Sequence, residues 1–232
     1  MSRRNRRLAW RGLALLLAAF LAYQGWFFVR VLVWNWVNPS ASAVMRERLE
    51  AMRATNPRAA LRQRWVPYDR ISPHLKRAIV AAEDANFLEH EGFDWEAIQK
   101  AAEKNVRRGR IVAGGSTISQ QLAKNLFLTT RRSAWRKAQE AAITIMVEAV
   151  MSKRRILELY LNLIEWGEGV FGAEAAARHY FGKSAAGLEA WEAARLAAMV
   201  PRPRFYDRNR QTPFLERMAG LILRRMPGAP VP

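Results

Sequence analysis

An uncharged apolar segment near the start of the chain limits what its first part can fold into. Residues 12–29 carry no charged side chain and lie between two arginines. Inside a bilayer only a helix or a closed barrel satisfies every backbone polar group, and a spanning helix needs roughly 17–25 apolar residues. We therefore predict one membrane-spanning helix, with Trp26, Trp34 and Trp36 as interfacial anchors on its far side.

The charges around this segment predict its orientation. Basic residues precede it, at Arg3, Arg4, Arg6, Arg7 and Arg11. By the positive-inside rule, residues 1–11 form a cytoplasmic basic tail, 12–37 an uncleaved signal anchor, and 38–232 an exported domain. A signal peptide cleaved near Ala41–Ala43 is the alternative, but the apolar run is longer than the usual core of such a peptide.

The composition narrows the classes of partner. The formal net charge is +18 and there is no cysteine, which excludes a disulfide framework and a thiolate metal site. Such a positive charge favours a polyanionic partner. Because the basic domain lies outside the cytoplasm in this interpretation, we expect an anionic membrane surface or a diphosphate as the partner, and no nucleic acid.

The exported part has the pattern of an all-α domain. Residues 38–72 are expected to form a polar stalk with short helical pieces. From Ser72 onward, capping residues precede amphipathic stretches. The expected helices begin near Ser72, Asp94, Ser116, Ser133 and Ser152 and cover about 170–181, 188–199 and 213–225. No strand alternation is evident, so we predict an all-α fold whose motif-bearing core covers about residues 60–210.

The first candidate catalytic stretch is EDANFLEHEGFD, residues 83–94. Glu83 and Asp84 end an apolar helical run, and His90 follows in a short loop. A catalytic carboxylate held at a helix end by a tight turn would produce this pattern. The alternative is an acidic helix terminus with a loop histidine, and these residues alone do not decide between the two.

A second stretch is GGSTISQQLAKNLFL, residues 114–128. Two glycines open a helix whose free backbone N–H groups suit an anion. Ser116, Gln120 and Lys124 recur every four residues and are expected to share one face. That face carries hydrogen-bonding groups and no glutamate, which favours a functional surface over a merely solvated one.

Two further stretches contain charged and apolar positions at helical spacing. In RKAQE, Arg136 can pair with Glu140 at i+4 and Lys137 with Glu140 at i+3. These pairs are either surface ion pairs or the support of a second functional carboxylate. In KRRILELYLN, residues 153–162, Ile156, Leu157, Tyr160 and Leu161 are expected to face the core, and we interpret this stretch as structural.

Together these four motifs resemble glycosyltransferase family 51, the glycan-polymerising domain of peptidoglycan synthases. The family pattern EDxxFxxHxG is present at Glu83, Asp84, Phe87, His90 and Gly92. GGSTIxQQLxKN is present from Gly114 to Asn125, with Ser119 where threonine is usual. RKxxE and KxxILExYLN follow in the same order. Residues 165–183 look most like the monofunctional branch, and no serine precedes a lysine by three positions as transpeptidases require.

The resemblance implies a lysozyme-like helical fold and assigns roles to the acids. Glu83 matches the proposed general base, and adjacent Asp84 would raise its pKa. Glu140 matches the second carboxylate of the family. No cofactor is required by the resemblance; a magnesium or manganese ion held by Glu140 is the alternative it leaves open.

The same resemblance assigns the polar residues. Lys124, Arg136 and Lys137 would hold the diphosphate. The other expected substrate contacts are Ser116, Gln120, Gln121, Asn125 and Arg132. Phe87, His90 and Gly92 are expected to be structural residues within the site.

The implied reaction transfers a polyprenyl-diphosphate-linked glycan chain onto lipid II with inversion at the anomeric carbon. The implied location is the bacterial inner membrane, with the catalytic domain periplasmic or extracytoplasmic. A basic-rimmed apolar surface around residues 106–130 would contact anionic headgroups. Proteins of cell-wall synthesis or cell division are possible partners, and the sequence does not decide among them.

Two rival functions remain at this stage. A lysozyme-like hydrolase or lytic transglycosylase also places a catalytic glutamate at a helix end. A glycan-binding scaffold without chemistry is the other. The cluster of lysine and arginine beside the carboxylates favours the polymerase, because a diphosphate leaving group needs cations and a neutral glycosidic one does not.

Overall fold

The N-terminal apolar segment forms one long helix, α1, Arg3–Trp34. The computed structural model describes residues 3–110, 114–131 and 133–232. It separates into two compact units, Met1–Asn38 and Pro39–Pro232. Within α1, Trp10–Trp34 is long and apolar enough to cross a membrane, and this helix fits a single-pass membrane anchor.

The second unit is predominantly helical. Its helices are α2 Ala43–Arg53, α3 Pro73–Glu83, α4 Trp95–Arg108, α5 Ile118–Phe127, α6 Ala134–Val150, α7 Lys153–Leu163, α8 Ala173–Phe181, α9 Ala190–Met199, α10 Pro203–Arg208 and α11 Pro213–Arg225. Side chains of Ser72, Asp94, Ser133 and Ser152 each accept a backbone N–H at the start of a helix, as their positions in the sequence predict. The all-α prediction is confirmed.

A small sheet accompanies these helices and was not predicted. Strand β1, Arg62–Gln63, pairs in parallel with β3, Val170–Phe171, and β3 pairs antiparallel with β2, Glu165–Gly167. Strands this short cannot show a period-two pattern in the sequence.

The prediction of a polar stalk over residues 38–72 is wrong. Tyr68 is buried, and the side chain of Asn162 in α7 accepts the Val66 N–H and donates to the Val66 carbonyl, both at 2.9 Å. These contacts attach the segment to the domain core. Asn162, the last residue of the KRRILELYLN motif, is therefore structural, as expected.

The helices that carry the motifs meet in the core. Helix α5 packs against α6 and α7, while α3 packs against α9. Leu122, Ile143 and Tyr160 are fully buried where α5, α6 and α7 face each other. The functional side chains therefore project from a rigid helical base rather than from long loops.

Candidate active site

Glu83 occupies the last turn of α3. Its Oε2 accepts a hydrogen bond of 2.7 Å from Nε2 of Gln121 on α5. The residue keeps some exposed surface, while its carboxyl group is densely surrounded by protein atoms. Burial is the largest influence and raises the pKa of Glu83; the Gln121 hydrogen bond and the charge of Lys124 oppose it. The charge of Asp84 also raises the pKa, as expected, but contributes less than burial.

Asp84 joins the end of α3 to the start of α5. Its side chain is 2% exposed, and its Oδ1 lies 2.9 Å from Nε2 of His90. Its Oδ2 accepts the N–H of Ile118 at 2.9 Å. The Gly92 N–H donates to Nδ1 of His90 at 3.1 Å, so the imidazole N–H is on Nε2 and points at Asp84. Both ring nitrogens are occupied within the loop, which supports a structural role for His90.

Gly92 and Phe87 shape the same loop. Gly92 has φ +89°, and a Cβ there would lie 2.8 Å from Cγ2 of Thr144, so a side chain is excluded both by conformation and by space. Phe87 is fully buried, with Nζ of Lys153 4.8 Å from its ring centroid. The same ammonium donates to the His90 carbonyl at 2.5 Å, which fixes the loop to α7.

A cationic groove of about 380 Å³ runs beside this loop. Its lining combines three cations with one carboxylate and three neutral polar residues: Lys124, Arg136, Lys137, Glu140, Ser116, Gln121 and Thr130. Lys124 interacts electrostatically with both Glu140 and Glu83. Burial, the largest influence, lowers the pKa of Lys124, and the charge of Glu140 opposes that shift. The groove therefore suits a bound polyanion.

Glu140 is held by the two basic residues that precede it on α6. Nη1 of Arg136 donates to its Oε2 at 2.6 Å, and Nζ of Lys137 to its Oε1 at 2.5 Å. Both predicted ion pairs are present. Nε of Arg136 is buried and has no hydrogen-bond partner among the described residues, so its N–H can still donate to an oxygen of a ligand.

The proposed divalent cation at Glu140 does not fit this geometry. Both carboxylate oxygens are already paired with cations, and a metal would have to displace them. Over residues 3–110, 114–131 and 133–232, no three acidic, histidine or cysteine side chains are grouped so as to hold a metal ion.

Two predicted substrate contacts need correction. The N-cap of α5 is Thr117, so Ser116 precedes the helix and does not share its face. Gln120 is 3% exposed, and its Oε1 accepts the Thr117 N–H at 3.0 Å in a capping box. Asn125 is buried and donates to the Gln121 carbonyl at 2.7 Å. Gln120 and Asn125 therefore stabilise α5, whereas Ser116 and Gln121 line the groove. Arg132 lies outside the described residues.

A second cavity, of about 500 Å³, includes Glu83 in its lining. Helices α3, α9, α10 and α11 form its largely apolar wall, which includes Phe205 and Phe214, and two guanidinium groups, Arg202 and Arg225, lie along it. Sequence reasoning did not detect this cavity, because its walls come from helices far apart in the chain and no motif marks them.

Tyr160 is a further site residue that the sequence analysis placed only in the core. Its hydroxyl donates to Oε1 of Gln121 at 2.9 Å. The place of Tyr160 in the KxxILExYLN motif was one signal, and the tendency of a buried tyrosine hydroxyl to find a polar partner was another.

Comparison with known proteins identifies the family. A family model described as "Transglycosylase" matches residues 50–227. The chain belongs to this transglycosylase family. It is 62% identical over 227 residues to the biosynthetic peptidoglycan transglycosylase of Nitrosospira multiformis, covering 98% of this chain and 99% of that protein. It is 63% identical over 222 residues to the protein of the same name from Laribacter hongkongensis, covering 96% and 97%.

Membership of the transglycosylase family confirms the resemblance drawn from the motifs. The lysozyme-like helical fold and the assignment as a peptidoglycan glycosyltransferase are both confirmed. The hydrolase alternative is not favoured, since these relatives are named as biosynthetic enzymes.

Proposed function

We propose that this protein transfers a polyprenyl-diphosphate-linked glycan chain onto lipid II with inversion at the anomeric carbon. The observation that carries the proposal is the position of Glu83, a carboxylate with a raised pKa that lines an apolar cavity and accepts a hydrogen bond from Gln121 of the cationic groove. Such a carboxylate suits a general base near neutral pH. The names of the relatives supply the substrate class.

Glu83 would act through one oxygen. Oε2 accepts the Gln121 hydrogen bond, and Oε1 accepts none from the described residues, so Oε1 is the atom that takes the proton. In a single displacement, the acceptor hydroxyl loses its proton to Oε1 and its oxygen bonds to the anomeric carbon of the donor. The bond from that carbon to the diphosphate breaks, and the diphosphate leaves with the electron pair.

The cationic groove would hold this leaving group. Lys124 supplies a compact charge, and Arg136 presents a planar set of donors that matches phosphate oxygens. Charge that develops on the diphosphate is stabilised by groups already oriented for it. Glu140 contributes by orienting Arg136 and Lys137, because both its oxygens are engaged by them. Ser116 and Gln121 are placed to contact donor oxygens.

The apolar cavity would receive the acceptor. Glu83 is part of its lining, so a sugar hydroxyl held there can reach the base. Arg202 and Arg225 offer charges for the acceptor diphosphate, and the exposed faces of Phe205 and Phe214 can pack on apolar groups of the substrate. A base that lines one cavity and is hydrogen-bonded to a residue of the other suits a transfer between two lipid-linked molecules.

We place the protein in the bacterial inner membrane, with α1 as anchor, the N-terminus cytoplasmic and the second unit outside. The basic residues before the apolar segment support this orientation. Exposed Arg107, Arg108, Arg110 and Arg131, together with Val106 at 81% exposure, support contact with anionic headgroups. Residues 39–232 should float with anionic vesicles in low salt and dissociate from them in high salt. If they do not bind the vesicles even in low salt, the proposed surface contact is wrong.

The experiment that tests the function offers the purified chain two substrates in parallel. With lipid II, we expect glycan polymer on a gel; with finished peptidoglycan, we expect no soluble fragments. Fragments from finished peptidoglycan without polymer from lipid II would instead establish the hydrolase. Binding of both without any product would establish the scaffold.

A further inference from the structure

We propose that Tyr160 is a positioning residue for the base: its hydroxyl fixes the amide of Gln121 so that the amide N–H faces Glu83. The inference rests on the proposed function for the role of Glu83 as base, but the contacts that carry it are independent of any substrate. It assigns a catalytic purpose to a side chain that otherwise belongs to the hydrophobic core.

The geometry is a chain of two hydrogen bonds across three helices. The Tyr160 hydroxyl on α7 donates to Oε1 of Gln121 on α5 at 2.9 Å, and Nε2 of the same amide donates to Oε2 of Glu83 on α3 at 2.7 Å. Tyr160 is 0% exposed, so water does not compete for its hydroxyl. Each amide atom therefore has one defined partner.

The direction of the chain follows from the chemistry of the amide. A carboxylate accepts hydrogen bonds and cannot donate them, so it must face the NH₂ group of Gln121. Rotating the amide by half a turn would place its oxygen against the carboxylate. In that turned orientation the Tyr160 oxygen could accept from the NH₂ group, but its buried hydroxyl hydrogen would have no acceptor among the described residues, which favours the observed orientation. Fixing Oε2 in this way leaves Oε1 as the oxygen that meets the acceptor hydroxyl.

Other charges also act on Glu83 and must be separated from the Tyr160 effect. Asp84 follows it in the chain, Lys124 projects from α5, and Arg202 and Arg225 line the same cavity from α10 and α11. Burial, the nearby charge of Glu83 and that of Asp84 raise the pKa of Tyr160 well above its usual range. Its hydroxyl thus stays protonated and keeps its donor role wherever the enzyme is assayed.

The test compares Tyr160→Phe with the wild-type chain in detergent micelles. Without the hydroxyl, Oε1 of Gln121 loses its partner and the amide is held less firmly against Glu83; the weaker hydrogen bond to the carboxylate raises the pKa of Glu83. In the plot of kcat against pH, the rising limb should therefore move to higher pH by about 0.5–1 pH unit. Below that limb kcat should fall by about 3–10-fold, while KM for lipid II changes by less than about twofold because no substrate contact is removed.

Tyr180→Phe is the matched control. Tyr180 also donates its hydroxyl to a protein oxygen, the Trp166 carbonyl, at 2.8 Å, but on α8 and outside both cavities at Glu83. Because Tyr180 is half-buried and Tyr160 fully buried, Tm is measured for both variants so that a loss of stability is scored separately from the pH profile. The proposal requires that only Tyr160→Phe moves the pH profile; an equal shift in Tyr180→Phe, or no shift in Tyr160→Phe, overturns it.

A second measurement keeps the proposal separate from the proposed function. ¹³C NMR of glutamate carboxyl groups, with the Glu83 signal identified by its loss in Glu83→Gln, reports the titration of Glu83 without any substrate. The titration midpoint of Glu83 should rise in Gln121→Met. Adding Tyr160→Phe to that variant should produce no further rise, because both substitutions act through the Gln121 amide. An unchanged midpoint in Gln121→Met, or full additivity, refutes the relay. Absence of polymer from wild-type enzyme would refute the function alone.

Discussion

The buried carboxylate of Asp84 offers the sharpest test of how the catalytic loop is held. Its two oxygens accept hydrogen bonds of 2.9 Å from His90 and from the N–H of Ile118. Asp84→Asn preserves the size of the side chain but replaces one acceptor with a donor. Whichever way the new amide is turned, its NH₂ group faces another N–H.

A change of histidine tautomer does not rescue this variant. If Nε2 of His90 became an acceptor, the proton would move to Nδ1 and face the Gly92 N–H, which donates to Nδ1 in the native loop. One buried donor therefore loses its acceptor in every arrangement. The lost charge-assisted bond and the unpaired group together cost about 2–4 kcal/mol.

Thermal unfolding of the full chain in micelles measures this cost. At about 2–4 °C per kcal/mol for a chain of this size, Tm should fall by about 5–15 °C. Asp69→Asn is the control, since that carboxylate is exposed and, among the described residues, its ion pair is with exposed Arg154; the Tm of this variant should not change. A Tm for Asp84→Asn within about 1 °C of wild type would refute the argument.

Three further predictions follow from the site. Burial raises the pKa of Glu83, so the ionised carboxylate destabilises the folded state as pH rises from the pKa of the unfolded chain through that of the folded one. Glu83→Gln removes this ionisable group. Scanning fluorimetry should therefore show a higher Tm than wild type near pH 7.5 and the same Tm at acid pH. Arg136→Lys removes the buried Nε donor and should raise KM for the lipid-linked donor by about tenfold in steady-state assays. Gly92→Ala must adopt φ +89° with its Cβ 2.8 Å from Thr144, so chemical denaturation should show a loss of about 2–4 kcal/mol; a loss below about 0.5 kcal/mol contradicts that geometry.

Local signals made much of the fold predictable. Ser72, Asp94, Ser133 and Ser152 each cap the helix that the sequence placed after them, because capping depends on residues only two or three positions apart. The pairing of Glu140 with its two basic neighbours is equally local. The sheet was missed because β1 depends on a partner far along the chain, with Arg62 opposite Val170, and because all three strands are too short to carry a pattern of their own.

The site was harder to predict where helix phase matters. The four-residue spacing put Gln120 on one face with Ser116 and Lys124, but Ser116 precedes α5 and the Gln120 side chain completes the capping box of Thr117. Consecutive residues point about 100° apart on a helix, so Gln121, not Gln120, reaches Glu83. The apolar cavity forms where α3 meets α9, α10 and α11. The contact of Tyr160 with Gln121 depends on how α7 packs against α5. No local sequence pattern predicts such packing between helices.

The central claim is that Glu83 is the base for polymerising lipid II, and one comparison of variants tests it most directly. Glu83→Gln keeps the shape of the side chain and removes the proton acceptor, and Glu89→Gln makes the same change at an exposed position of the same loop. Incubated with lipid II and analysed on a gel, wild type and Glu89→Gln should both yield glycan polymer, and Glu83→Gln should yield none. Polymer from Glu83→Gln at the wild-type rate would contradict the account.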